Sequence, residues 1–148
     1  MDVHVAALPT ESILPLRKKV LRDGTPSQDP RYSEDDLPGT VHLAAVTDDR
    51  IVGTSTWLPR EYPHGPGVPA VQLKGMAVDH SLQSSGIGAL LLGHGIEEAR
   101  RNGAQLVWAR ARDSALAFYE RNGFTVEGEA FMDDATGMSH HMVVVTIN

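Results

Sequence analysis

Apolar positions along the chain alternate between strand-like runs and helical spacing, and Gly, Pro and Asp clusters mark each change. Val3 to Leu8 is an apolar run of strand length. From Thr10 to Arg22 the residues Ile13, Leu16, Val20 and Leu21 recur at helical spacing, and Asp23-Gly24 ends the helix. Its charged residues Arg17, Lys18, Lys19 and Arg22 read as a solvated face, the alternative being that Arg17 holds an acidic group of a ligand. Thr25 to Gly39 holds three prolines and several charges, so it predicts a surface loop, placed to border a pocket. Val41 to Thr47 and Arg50 to Leu58 flank Asp48-Asp49 as a hairpin. Pro59 to Pro69 turns too often for regular structure, and Val71 to Val78 resumes the sheet. A long helix begins near Gly86, with a stripe of Ile87, Leu91, Leu92, Ile96 and Ala99, and Gly103 stops it. A strand from Leu106, a short helix closing on Asn122-Gly123, and strands over Thr125 to Met132 and His140 to Ile147 complete the order. Asp133 to Gly137 is the last turn, and the whole predicts an α+β protein with a mixed sheet.

At 148 residues the chain is long enough to bury a core and too short for two ordinary domains, so positions 1–148 are expected to form one. With 41% hydrophobic and 22% charged residues it has the composition of a globular protein. The formal charge of −6 argues against general nucleic-acid binding and mildly favours cationic small partners. No apolar run approaches about 18 residues and no basic, apolar leader precedes the first strand, so the expected location is cytoplasmic, with no membrane partner. The chain has no cysteine, which removes disulfides, zinc-thiolate sites and acyl-cysteine intermediates. The seven histidines show no metal-ligand spacing, since the adjacent His140 and His141 point to opposite sides of a strand. No metal is expected.

The most informative stretch is Leu73 to Leu92, LKGMAVDHSLQSSGIGALLL, which sets a strand, a glycine-bearing turn and a helix start in succession. The first N–H groups of a helix lack internal partners and sit at the positive end of its dipole, so on the residues alone such a turn either binds phosphate or uses its two glycines only to ease strand-to-helix packing. Gly86 and Gly88 permit close backbone approach, and Gln83, Ser84 and Ser85 add hydrogen-bonding side chains. There is no Lys or Arg between Gly75 and Ala99, so a phosphate there would rest on backbone amides unless the fold supplies Arg100, Arg110 or Arg112.

A second block, LVWARARDSALAFYERNGF from Leu106 to Phe124, places Ala115, Phe118, Tyr119 and Asn122 on one helical face, with Gly123 suited to a left-handed cap. On the residues alone, Tyr119 is either a core aromatic or a proton donor. The Gln83-x-x-Gly86-x-Gly88 turn and the Ala115-x-x-Phe118-Tyr119-x-x-x-Gly123-Phe124 string together resemble the GCN5-related N-acetyltransferases. The resemblance runs over nearly the whole length. It is strongest to small members with an LRxxVLR-like first helix, an LRGMAV strand and a TG-x-x-H segment, here Leu16 to Arg22, Leu73 to Val78 and Thr136 to His140.

The resemblance implies a mixed, mostly antiparallel sheet of six to seven strands flanked by three to four helices. It implies direct transfer of acetyl from acetyl-CoA, with no metal, to a primary amine of a small molecule or peptide in a ternary complex. By the same comparison Gln83, Ser84, Ser85, Gly86, Ile87, Gly88 and Ala89 would hold pyrophosphate. Met76, Ala77 and Val78 would pair with pantetheine, while Ala115 and Phe118 would line it. Arg112 stands where many members place an asparagine facing pantetheine. Tyr119 would be the general acid. The fourth strand carries Gln72 and Lys74 rather than a carboxylate, which leaves His140 as the candidate base or acceptor-orienting residue. The oligomeric state is open, a homodimer included.

The glycine spacing is not the GxGxxG of a dinucleotide fold, and no G-x-S-x-G elbow accompanies Ser84 or Ser85. The rival from another class is a catalytically weak acyl-CoA-binding or interaction module of the same fold, suggested by the missing carboxylate and the cation-poor turn.

Overall fold

The computed structural model describes residues 2–147; Met1 and Asn148, the ends of the predicted span, lie outside the described residues. Seven strands form one sheet: β1 (His4–Leu8), β2 (Val41–Thr47), β3 (Arg50–Pro59), β4 (Ala70–Val78), β5 (Leu106–Arg112), β6 (Thr125–Asp133) and β7 (Met138–Thr146). Their spatial order is β1-β2-β3-β4-β5-β7-β6, antiparallel except for the parallel β4–β5 pair. Among the described residues three α-helices flank it: α1 (Thr10–Leu21), α2 (Ile87–Arg101) and α3 (Leu116–Arg121). The β2–β3 turn uses Asp48 and Asp49 at φ 50° and 60°, the left-handed pair that suits a tight hairpin. β7 begins at Met138, two residues before the expected His140.

α2 covers one face of the sheet. Its Ile87, Leu91, Leu92 and Ala99 pack with Leu43, Trp57, Leu73, Val107 and Val143 in the main core. Contact is close enough that a Cβ on Gly95 would lie 2.0 Å from the Trp57 ring. α1 covers the opposite face, where Ile13 and Leu14 meet Ala44. Further along that face the 60–69 loop lays Tyr62 over Ala70 and Trp108, and the Tyr62 hydroxyl donates to Glu127 Oε1 at 2.6 Å.

The charged positions of α1 do not form one solvated face. Lys18 and Lys19 are exposed as expected, but Arg17 is fully buried and Arg22 is 6% exposed. Arg17 Nη1 and Nη2 donate to Asp35 Oδ2 and Oδ1 at 2.8 and 3.0 Å, and further bonds reach Thr56 Oγ1 and Pro30 O. The helix thereby ties the Pro-rich loop to β3. Spacing explains the burial, because Arg17 lies four residues after Ile13 and three before Val20, inside the apolar stripe.

Candidate active site

β4 and β5 pair only from Ala70↔Leu106 to Leu73↔Ala109 and then part. Beyond that point the β5-facing amides and carbonyls of Lys74 to Val78 have no strand partner, and an extended ligand can supply one. β4 is also bulged here: Thr54 faces Ala77 and Thr56 faces Lys74, so β4 carries one residue more than β3 over this interval. Gly75, at φ +62°, takes the strain. A Cβ on it would lie 3.1 Å from both Arg17 Nε and the Tyr32 ring. Arg17 Nε is buried without a hydrogen-bond partner, so the bulge packs directly on that guanidinium.

The parting opens into a cleft of about 1170 Å³ that runs to the start of α2. Met76, Ala77 and Val78 line it on the strand side, and Gln83, Ser84, Gly86, Ile87, Gly88 and Ala89 line it on the helix side. Ser85 does not line it; its hydroxyl bonds to Leu82 O. Ser84 and Gly86 both hold positive φ, 65° and 91°, which turns the chain into the helix with its first amides outward. Gly88 serves packing rather than ligand approach, since a Cβ there would be 2.9 Å from the Phe118 ring.

Of the three arginines expected to supply charge, Arg110 and Arg112 line the cleft and Arg100 does not. Arg100 is engaged with Ile147 O and Glu97, and Arg110 lies over the Phe131 ring. Lys19 of α1 reaches Asp79 at 3.2 Å, and Arg121 of α3 lines the cleft. Backbone and side-chain hydrogen bonds from Ser81, then Lys19, hold the Asp79 carboxyl at about 2.

Ala115, Phe118 and Tyr119 reach the cleft from the α2 side, where Tyr119 packs edge-on to Phe118 and Phe124. Burial pushes the Tyr119 phenol well above its ordinary value, and the nearness of Tyr32 adds to this. It is therefore protonated throughout the neutral range. Its hydroxyl makes no hydrogen bond among the described residues and is not sealed off, so it is free toward the cleft.

His140 and Arg112, directly opposite each other in the β5–β7 ladder, line the α1 side. His140 Nδ1 lies 2.9 Å from Met138 O. A carbonyl only accepts, so Nδ1 is the donor in this contact, and in the neutral ring the lone pair is on Nε2. The ring stacks on Phe131 at 5.8 Å. His141 instead contacts Asp113 Oδ1 at 2.7 Å.

Tyr32, Glu34 and Asp35 of the Pro-rich loop were not singled out by their sequence. The Tyr32 ring stands over Arg17 at 4.1 Å and Lys74 at 4.4 Å. Glu34 Oε2 accepts from Lys74 at 3.0 Å and Arg60 at 2.9 Å. Burial opposes its ionisation, yet these two bonds prevail and hold its carboxyl at about 2. The cleft's charged lining is mainly cationic, with Arg22, Arg31, Lys74, Arg110, Arg112 and Arg121 against Asp29, Glu34 and Asp133. The overall negative charge thus gives the wrong sign for the pocket.

An open strand edge leading from a helix start to a buried, protonated phenol is the arrangement the two sequence blocks anticipate. The model of the acetyltransferase (GNAT) family matches residues 10–124. The chain belongs to that family. It is 26% identical over 142 residues to the uncharacterized N-acetyltransferase YitI of Bacillus subtilis (strain 168), covering 96% of this chain and 94% of that protein. Among solved structures, an IAA acetyltransferase from Bacillus cereus ATCC 14579 is similar with a TM-score of 0.72 at 20% identity, over 98% of this chain and 99% of that one. An aminoglycoside 6'-N-acetyltransferase complexed with coenzyme A gives a TM-score of 0.74 at 16% identity, over 98% and 97%. These likenesses establish the GNAT fold, the seven-stranded mixed sheet with three α-helices described above. GNAT proteins use acetyl-CoA as acyl donor.

Proposed function

We propose that the chain, acting as one domain over 1–148, transfers acetyl from acetyl-CoA directly to a primary amine in a ternary complex. The observation that carries this reading is the parting of β4 from β5 beyond Leu73, beside the unpartnered hydroxyl of Tyr119. The amides from Gln83 to Ala89 fit the pyrophosphate, and the free edge at Met76 and Val78 fits the pantetheine amides. Ala115 and Phe118 close the apolar side of that channel. Bound acetyl-CoA supplies the reactive thioester.

An alkylammonium is protonated at neutral pH and must lose a proton before attack. In its neutral form His140 offers the Nε2 lone pair, which accepts that proton. The amine lone pair then forms the C–N bond at the thioester carbon, and a backbone N–H near Ala77 stabilises the oxyanion, a contribution of about 10² to 10³ in rate. When the C–S bond breaks, Tyr119 donates its proton to the departing thiolate. The nitrogen, cationic after attack, loses its second proton through solvent to the Tyr119 phenolate, and His140 releases the first to solvent, so one H⁺ is set free per acetyl transferred.

The second reading, a catalytically weak acyl-CoA-binding module, draws support from the fourth strand, where no carboxylate stands and Glu34 is tied to Lys74 and Arg60. Calorimetric titration of acetyl-CoA and a thiol-release assay against a panel of amines separate the two. Amine-dependent release above background is expected. Tight acetyl-CoA binding without release for any amine would favour the module, and no binding at all would end both.

A further inference from the structure

Besides the exposed Arg121, two buried or half-buried guanidinium groups in the cleft lack an anion. Arg22 is 6% exposed, and its Nε donates to Asp29 O at 2.8 Å. Its two terminal nitrogens make no hydrogen bond among the described residues and are not sealed off, so they open onto the cleft. Arg112 is half-buried and gives one Nη2 bond to Leu21 O at 2.5 Å. Among the described residues no carboxylate oxygen lies within 4.0 Å of either side chain, whereas Arg17 has Asp35 and Lys74 has Glu34. Burial lowers the Arg112 pKa, and Arg22 adds to that effect while Tyr32 and Asp133 oppose it. Partly desolvated like charges destabilise a fold on their own; an incoming anion reverses the sign.

Their position narrows what that anion belongs to. Both arginines lie on the α1 side: Arg22 extends from the end of α1, and Arg112 is bonded to its last carbonyl. Arg112 also stands directly across from His140, and paired residues of neighbouring strands have Cβ atoms about 5 Å apart. A ligand anion on Arg112 therefore lies a few bonds from whatever His140 deprotonates. An amino acid carries its amine and carboxylate at that separation.

We propose that Arg22 and Arg112 form a carboxylate subsite in the acceptor pocket, so that the amine acetylated belongs to a free amino acid or a similar small aminocarboxylate. This rests on the N-acetyltransferase reading above. The other source of a matching anion is a phosphate of CoA, which in that reading sits at the start of α2.

The test compares the common L-amino acids, each beside its own primary amide, in thiol-release assays with saturating acetyl-CoA, using the parent protein, Arg22→Gln, Arg112→Gln and Arg112→Lys. Acetyl-CoA Kd is measured for each by calorimetry. A charge-assisted hydrogen bond is lost with the carboxylate, so the parent should favour acid over amide roughly 10- to 100-fold in kcat/KM. Both Gln variants should lose that preference through KM, with acetyl-CoA Kd within about 3-fold of the parent. Arg112→Lys should restore part of it. Equal use of acid and amide by the parent, or a loss that appears in acetyl-CoA Kd instead, overturns the proposal. If acetyl-CoA binds but no amine is acetylated, the enzymatic reading fails separately. The subsite then stands only if calorimetry on the CoA-loaded protein detects an amino acid, not its amide, and Arg112→Gln abolishes the heat.

Discussion

Tyr119 illustrates how one side chain combines packing and chemistry. Its ring is held edge-on by Phe118 and Phe124, and it lines the cleft with a hydroxyl that makes no hydrogen bond among the described residues. Replacement by Phe keeps the packing and removes only the transferable proton. Turnover should fall about 10²-fold, the scale of general acid catalysis, while acetyl-CoA Kd changes less than about 2-fold. Because burial raises its pKa, the phenol stays protonated as pH climbs toward its ordinary value near 10, so no alkaline loss of activity below that point arises from Tyr119. Steady-state rates and calorimetry on Tyr119→Phe check both statements, and an unchanged kcat removes the role. The tyrosine was legible because it lies in a string with fixed spacing. Tyr32 was not, since nothing in a loop of prolines and charges marks the one aromatic that folds back over Gly75.

At the scale of elements, periodicity and turn residues lay out every α-helix and strand, whereas Arg17 and Lys74 make contacts distant in sequence that periodicity does not reveal. Arg17 reaches Asp35 and Thr56, 18 and 39 residues away, and Lys74 reaches Glu34 across 40. The helical stripe itself held the clue for Arg17, because its spacing put a guanidinium among Ile13, Leu16 and Val20. The β4 bulge carried a weaker clue, a lone glycine inside an apolar run. Its consequence is testable with Gly75→Ala. An alanine there must hold φ near +62° and press a methyl to 3.1 Å from Arg17 Nε and Tyr32. The left-handed conformation alone costs about 1 to 2 kcal/mol. Thermal unfolding should register at least that destabilisation, together with a higher KM for acetyl-CoA as the strand edge shifts. An unaltered melting curve would mean that the bulge does not pack as described.

The whole molecule depends on how the Pro-rich loop is fastened, since that loop covers the bulge and supplies one wall of the cleft. Of its ion-pair ties, Arg17–Asp35 is fully buried and bidentate, Arg31–Glu11 is exposed, and Glu34 joins Lys74 and Arg60 near the cleft surface. The Lys74 and Arg60 bonds hold the Glu34 carboxyl below its ordinary value near 4.5, at about 2. The sign follows by linkage. A carboxyl whose pKa is lower in the folded state adds stability that is complete above its unfolded value and is lost as pH falls through its folded one. The stability difference between the parent and Glu34→Gln should therefore be constant from neutral pH to about 5 and shrink toward zero near pH 2. Denaturant unfolding of both proteins across that range measures it. A gap that persists unchanged to pH 2.5 would mean that Glu34 acts through shape rather than charge. Because Lys74 is held by Glu34 beside Tyr32, the same titration should loosen the acceptor wall before the core yields. Tyr32 solvent exposure, followed by phenol absorbance, should then rise at a higher pH than global unfolding in the parent, and Glu34→Gln should show that exposure already at neutral pH.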